Sequence, residues 1–157
     1  MMRWTRVLLV VLPFVDLAWN HTHLNIGLAD FYGLTLPAYG LVQNSAWPAT
    51  PYFPAGYPLL LIPFGLLGST LVGGYLLSAI GGTLALAAVR RLAFEFGLSE
   101  GVATLCAVLA WIAPSFRIVA GSPSVDALFT GIALWFIWAA IRMWREKAAT
   151  RETHLAM

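Results

Sequence analysis

The chain has 157 residues, 60% hydrophobic and 10% charged, with a net charge of +2 and a mean hydropathy of +0.79. A water-soluble domain carries about 25% charged residues, so this composition excludes a solvated globule and points to an integral membrane protein covered by lipid. The small net charge and the absence of basic residues interleaved with aromatics exclude nucleic acid as a partner. The single Cys106 excludes an intramolecular disulfide framework or a thiolate metal cluster.

Arg3 and Arg6 precede the apolar run Val7–Val15, which has the form of a signal peptide. Asp16 closes the run, and no small-x-small cleavage site follows before Trp19-Asn20-His21, so the segment is read as a retained anchor spanning about Trp4–Trp19. A long loop of about residues 20–70 comes next, without Lys or Arg and with Asp30 as its only acid. Within it, "DFYGLTLPAYGLVQ" predicts a short interfacial helix starting near Asp30 and interrupted or kinked by Pro37. Trp47, Tyr52 and Tyr57 suit headgroup depth.

The stretch "YFPAGYPLLLIPFG" opens like a loop and continues like a membrane helix. Its apolar part, Tyr57–Leu67, reaches only about 17 Å at 1.5 Å per residue, too short to cross about 30 Å of hydrocarbon. Spans are expected at about Leu71–Val89, Gly101–Val119 and Val125–Met143. The first of these carries Gly74, Ser78 and Gly82 at i, i+4 and i+8, a small-residue stripe for close helix packing; a phosphate-binding loop would need its glycines at a strand-to-helix turn. Ser99 and Glu100 supply a helix start, Ala113-Pro114 ends or kinks the next span, and Ser122 is the expected N-cap of the last, with Pro123 its first helical residue and Asp126 in its first turn. Residues 146–157 form a polar tail. The fold expected is therefore an all-α polytopic bundle, a single membrane module of about four transmembrane helices with extracytoplasmic juxtamembrane helices.

Charge placement orients this bundle. With four spans and a cytoplasmic N-terminus, Arg3, Arg6, Arg90, Arg91, Arg142, Arg145, Lys147 and Arg151 are all cytoplasmic, and Arg117 is the one extracytoplasmic cation, as the positive-inside rule requires. Were Tyr57–Leu67 also to cross, Arg90 and Arg91 would be translocated. Both termini are thus expected inside a plasma or inner membrane, with the long loop outside.

Asp16, Asp30 and Asp126 lie near the outer face under this topology. Asp16 reads as interfacially exposed near Asn20 and His21; Asp30 and Asp126 each read as favourable charges at helix N-termini. As a group, carboxylates and one arginine at a lipid–water boundary suit a general base and a phosphate clamp; an Arg117–Asp126 ion pair is the plainer alternative. His21 and His23 are two apart with no third ligand, so a divalent metal is conceivable but unsupported, and no cofactor is expected.

The order of these pieces resembles a known superfamily: an N-terminal anchor, an early acid in the first outer loop, "YFPAGYPLLLIPFGLLG", a helix ending "AVRRLAFEFG", another ending "IAP", and "SPSVDALFTGIALWF". It is similar to the N-terminal third of GT-C membrane glycosyltransferases, the group of the protein mannosyltransferases and the RgtA/B/C/D-like enzymes, over nearly all of residues 4–145. The resemblance implies inverting transfer of a sugar from a polyprenyl-phosphate carrier to an acceptor on the outer side. It implies Asp30 as the general base, Asp126 as an acid at the site mouth, and Tyr57 and Pro58 in the segment lining the donor site; Arg117 joins them as the candidate phosphate clamp. Its members carry more spans, so remaining spans or another membrane subunit would complete the enzyme, alongside the bilayer and a lipid-linked sugar donor as partners. Here the first-loop acid is single, where some members carry Asp-Glu. The competing class is a non-enzymatic membrane protein that binds a partner through the Gly74/Ser78/Gly82 face. A transporter subunit is disfavoured, because no span carries a mid-membrane charge.

Overall fold

A computed structural model describes residues 2–23, 29–44 and 56–155, with side chains described at 7–18, 35–43 and 56–147. Among these residues all regular structure is helical: α1 (Met2–His23), α2 (Ala29–Asn44), α3 (Gly56–Leu66), α4 (Thr70–Glu95), α5 (Glu100–Ile112), α6 (Pro114–Gly121) and α7 (Val125–Leu155). Two helices are long and apolar enough to cross a membrane, Thr70–Glu95 and the Val125–Lys147 part of α7. The pair α5–α6 makes a third when counted as one broken span. In α1 the apolar stretch among the described residues is Val7–Ala18, below spanning length. The chain is thus an all-α integral membrane bundle with two spans, or three with the broken one, and the four-span expectation is met in part.

The third expected span, Gly101–Val119, is not straight. Its halves meet at 74°. The residue before a proline is pushed out of the helical region by the proline ring, and Ala113 accordingly sits at φ −57°, ψ 120° with Pro114 opening α6. Proline does not have the same effect everywhere: α2 continues through Pro37, α1 through Pro13 and α3 through Pro63.

The half-length segment becomes α3, 11 residues long. It ends in a turn in which Gly68 N–H donates to Gly65 O and Ser69 N–H to Phe64 O, both at 3.0 Å. Gly68 has φ +110°, a conformation that costs a residue with a Cβ dearly. Ser69 then caps α4 by accepting from Val72 N–H at 3.2 Å. Helix α3 therefore folds back along the start of α4, with Phe64 on Gly73 and Leu61, fully buried, in a cluster with Tyr57 and Ala38 that Leu77, Val125 and Leu128 cover. The same turn recurs at the other end of α4, where Gly97 (φ +78°) donates to Phe94 O and Leu98 N–H to Ala93 O.

Helix α4 is the axis of the bundle. Leu9 and Leu86 share a core with Ala107, Trp111 and Ala120, and Gly82 faces Pro13 and Ala120, so α1 runs antiparallel to α4. Helix α7 runs parallel to it: Ser78 meets Ser124, Gly81 meets Ala127 and Leu128, and Trp135 Nε1 donates to Leu84 O at 3.0 Å. A Cβ on Gly81 would stand 2.4 Å from Ala127 C, and one on Gly131 would stand 2.5 Å from Gly81 O. The glycines let the two backbones touch, as small residues do where lipid offers no hydrophobic drive. The stripe expected at Gly74, Ser78 and Gly82 is buried inside the bundle.

Polar pairs lock one end. Arg90, 8% exposed, reaches Glu100 Oε1 at 2.5 Å through Nη2 and Thr104 Oγ1 at 3.2 Å through Nε, and lies 4.9 Å over the Phe94 ring. Trp138 Nε1 donates to Glu95 Oε1 at 3.1 Å, and Arg145 donates to Glu95 O. Glu100 is thus turned to Arg90, while Ser99 stands at the N-cap of α5 without a side-chain cap bond.

Candidate functional site

The opposite end of the bundle gathers Asp16, Arg117 and Asp126. Arg117, on α6, donates from Nε to Asp16 Oδ2 and from Nη2 to Asp16 Oδ1, both at 2.8 Å. The side chain of Asp16 is 11% exposed and that of Arg117 50%. Two expectations are corrected here. Asp16 is buried and paired, not interfacially exposed, because the 74° break turns α6 across the end of α1. The arginine's carboxylate partner is Asp16 and not Asp126. Two parallel N–H···O bonds fix the guanidinium plane, and half of the side-chain surface stays exposed.

Asp126 lies in the first turn of α7 as expected, but the cap is two residues later than Ser122. Helix α7 opens at Val125, and Ser124 Oγ both accepts from Asp126 N–H and donates to Asp126 Oδ2, each at 3.1 Å. Ser122 instead donates to Ile118 O at the end of α6. A cap at Ser122 would draw on the Ser124 N–H, and that donor is committed to Ser78 Oγ. Ser124 is further tied to α4, its N–H donating to Ser78 Oγ and its carbonyl accepting from the same hydroxyl, both at 2.9 Å. Ser78 therefore joins α4 to the start of α7, a role that its place in a small-residue stripe did not reveal.

Tyr57 and Pro58 are both buried. Among the described residues the Tyr57 hydroxyl has no well-formed hydrogen-bond partner. Burial pushes its pKa up to about 12, an effect the neighbouring Ser78 hydroxyl partly offsets. The phenol stays neutral, and its ring packs in the cluster of Ala38 and Leu61 against Leu77 of α4. Asp30 falls in the first turn of α2 by backbone position, and its side chain lies outside the described residues, as do those of His21 and His23. Among the described residues no three His, Cys, Asp or Glu side chains converge on a metal position.

The site residues thus divide into three groups. Asp16 and Arg117 form one unit; Ser78, Ser124 and Asp126 form a second beside Tyr57; Asp30 stands on a separate helix. The face expected to recruit a partner, Gly74/Ser78/Gly82, is spent on α1, α6 and α7 within the chain. The chain matches no known family model, no curated protein and no solved structure. What fold and site define together is a polytopic all-α membrane bundle with a bidentate Asp–Arg pair at one end.

Proposed function

We propose that the chain is the N-terminal part of a GT-C-type glycosyltransferase that moves a sugar from a polyprenyl-phosphate carrier to an acceptor hydroxyl on the extracytoplasmic side, completed by further spans or a partner subunit. The observation that supports this reading most is Arg117: its guanidinium is aimed by a buried carboxylate while its side chain remains half exposed, an arrangement suited to clamping a phosphate oxygen. The α3 half-helix folded against α4 adds a surface reachable from the bilayer, where a lipid-linked donor must approach.

In this reading the acceptor oxygen attacks the anomeric carbon as the bond from that carbon to the phosphate oxygen breaks. Asp30 takes the acceptor proton, and the polyprenyl phosphate leaves with its new negative charge beside Arg117. Sugar transfer from a polyprenyl-phosphate donor, measured with the complete protein or complex, tests the assignment. Asp30→Asn is expected to slow turnover by about 100-fold or more while donor binding persists. Unaltered turnover in that variant removes Asp30 as the base.

A further inference from the structure

Far from the Asp16–Arg117 pair, α4 and α7 part to leave an open groove of about 420 Å³ lined by Leu84, Ile132, Trp135, Phe136, Trp138 and Ala139. Both tryptophans turn their only polar atoms away from it, Trp135 Nε1 to Leu84 O and Trp138 Nε1 to Glu95 Oε1. Their rings pack edge to face at 5.1 Å and present only hydrocarbon to the groove. Ile132 to Ala139 covers about 10 Å of helix, most of the roughly 15 Å that one leaflet contributes to the hydrocarbon core.

The groove ends at a cation. The Arg142 guanidinium lies 5.6 Å from the Trp138 ring centroid, so one molecule can touch both the apolar wall and the charge. Arg142 spends Nε on Glu146 at 2.9 Å, which leaves its two Nη groups to another acceptor. Arg145, on the same helix, is 47% exposed and stands 3.7 Å from Glu95. Arg91 and Lys147, both exposed, belong to the same end of the bundle. Four cations against Glu95 and Glu146 leave this rim positive, while Arg90 and Glu100 cancel one another.

We propose that this groove is a binding site for an anionic phospholipid, with an acyl chain along Trp135, Phe136 and Ala139 and its phosphate at Arg142 and Arg145. A zwitterionic lipid would fill the groove equally well but would not answer the net charge of the rim. The site stands on α4 and α7 alone and does not depend on the glycosyltransferase reading.

Native mass spectrometry of the detergent-solubilised full chain tests it, with phosphatidylglycerol and phosphatidylcholine of identical acyl chains supplied in equal amounts. Preferential retention of phosphatidylglycerol is expected. Each of Arg142→Gln and Arg145→Gln should lower that retention about five-fold, the equivalent of roughly 1 kcal/mol per basic residue near an anionic headgroup. Ala139→Phe, which fills the groove, should reduce retention of both lipids, and Lys147→Gln should change little. Equal retention of the two lipids overturns the proposal. So does an equal loss in Lys147→Gln, which would signal diffuse attraction, or full retention in a folded Ala139→Phe protein. Should Arg145→Gln loosen the α4–α7 contact, Arg142→Gln carries the test, because Arg142 hydrogen-bonds within its own helix, to Glu146, and meets Glu95 of α4 only through space.

Discussion

Asp16 and Arg117 are 101 residues apart and form a two-bond ion pair at 2.8 Å that holds the broken second half of the α5–α6 span against α1. Its partners are unequally buried, and the cost of breaking it depends on which one is removed. Arg117→Gln leaves a buried carboxylate uncompensated and should destabilise the bundle by roughly 2 kcal/mol, below the about 3–5 of a fully buried pair because Arg117 is half exposed. Asp16→Asn leaves a cation that can turn to the surface, and should cost about 1 kcal/mol or less. Denaturant unfolding in detergent measures both, and equal losses would contradict this asymmetry.

Gly81 and Gly131 should be the least replaceable small residues on the α4–α7 seam. A methyl group at Gly81 would meet the backbone of Ala127 and Leu128 at 2.4 Å, and backbone cannot step aside as a side chain can. Gly81→Ala is therefore expected to cost about 2–3 kcal/mol through forced helix separation. Gly101 has open space around its Cβ position, so Gly101→Ala should stabilise α5 by up to about 1 kcal/mol. Thermal melts of the two variants should move in opposite directions.

Tyr57 carries a buried hydroxyl without a well-formed partner among the described residues. Removing it relieves a desolvation cost, so Tyr57→Phe should be neutral or stabilising by up to about 1 kcal/mol. The folded phenol, raised to about 12 from 10.0, contributes stability that is whole below pH 10 and is lost as pH rises towards 12, since the unfolded state gives up its proton first. A difference titration at 295 nm between wild type and Tyr57→Phe should show no Tyr57 ionisation near pH 10. A step there would mean that the hydroxyl is solvated.

Arg90 and Arg91 are adjacent, yet only the first should matter for stability. Arg90 is buried against Glu100, Thr104 and Phe94, whereas Arg91 is exposed. Glu100→Gln should destabilise by roughly 2 kcal/mol, and Arg91→Gln by no more than about 0.5 kcal/mol. Comparable losses in urea titrations of the two would contradict the burial difference.

Local physics made some of this readable from residue order. The length of Tyr57–Leu67 foretold a helix too short to span, and α3, ending at Leu66 just before the Gly68 turn, is that element. Ala113-Pro114 announced a break but not its angle, which follows from how α6 packs across α1. The Asp16–Arg117 pair was hidden because neither residue carries a mark of a partner 101 positions away. Ser122 and Ser124 flank the same proline, and only the bond between Ser78 and Ser124 decides which one starts α7. Arg90 looked like a topology signal; its burial depends on where α5 returns.

The parallel pairing of α4 and α7 also has a consequence in time. Two helices pointing the same way cannot enter the bilayer as one hairpin; the chain must cross back between them. Ser78 and Ser124 lie 46 residues apart, so at the usual pace of synthesis roughly 2 to 9 s separate them. For that interval the glycine face of α4 and the Ser78 hydroxyl have no α7 to close over them. The seam between these helices can close only after α7 has been made.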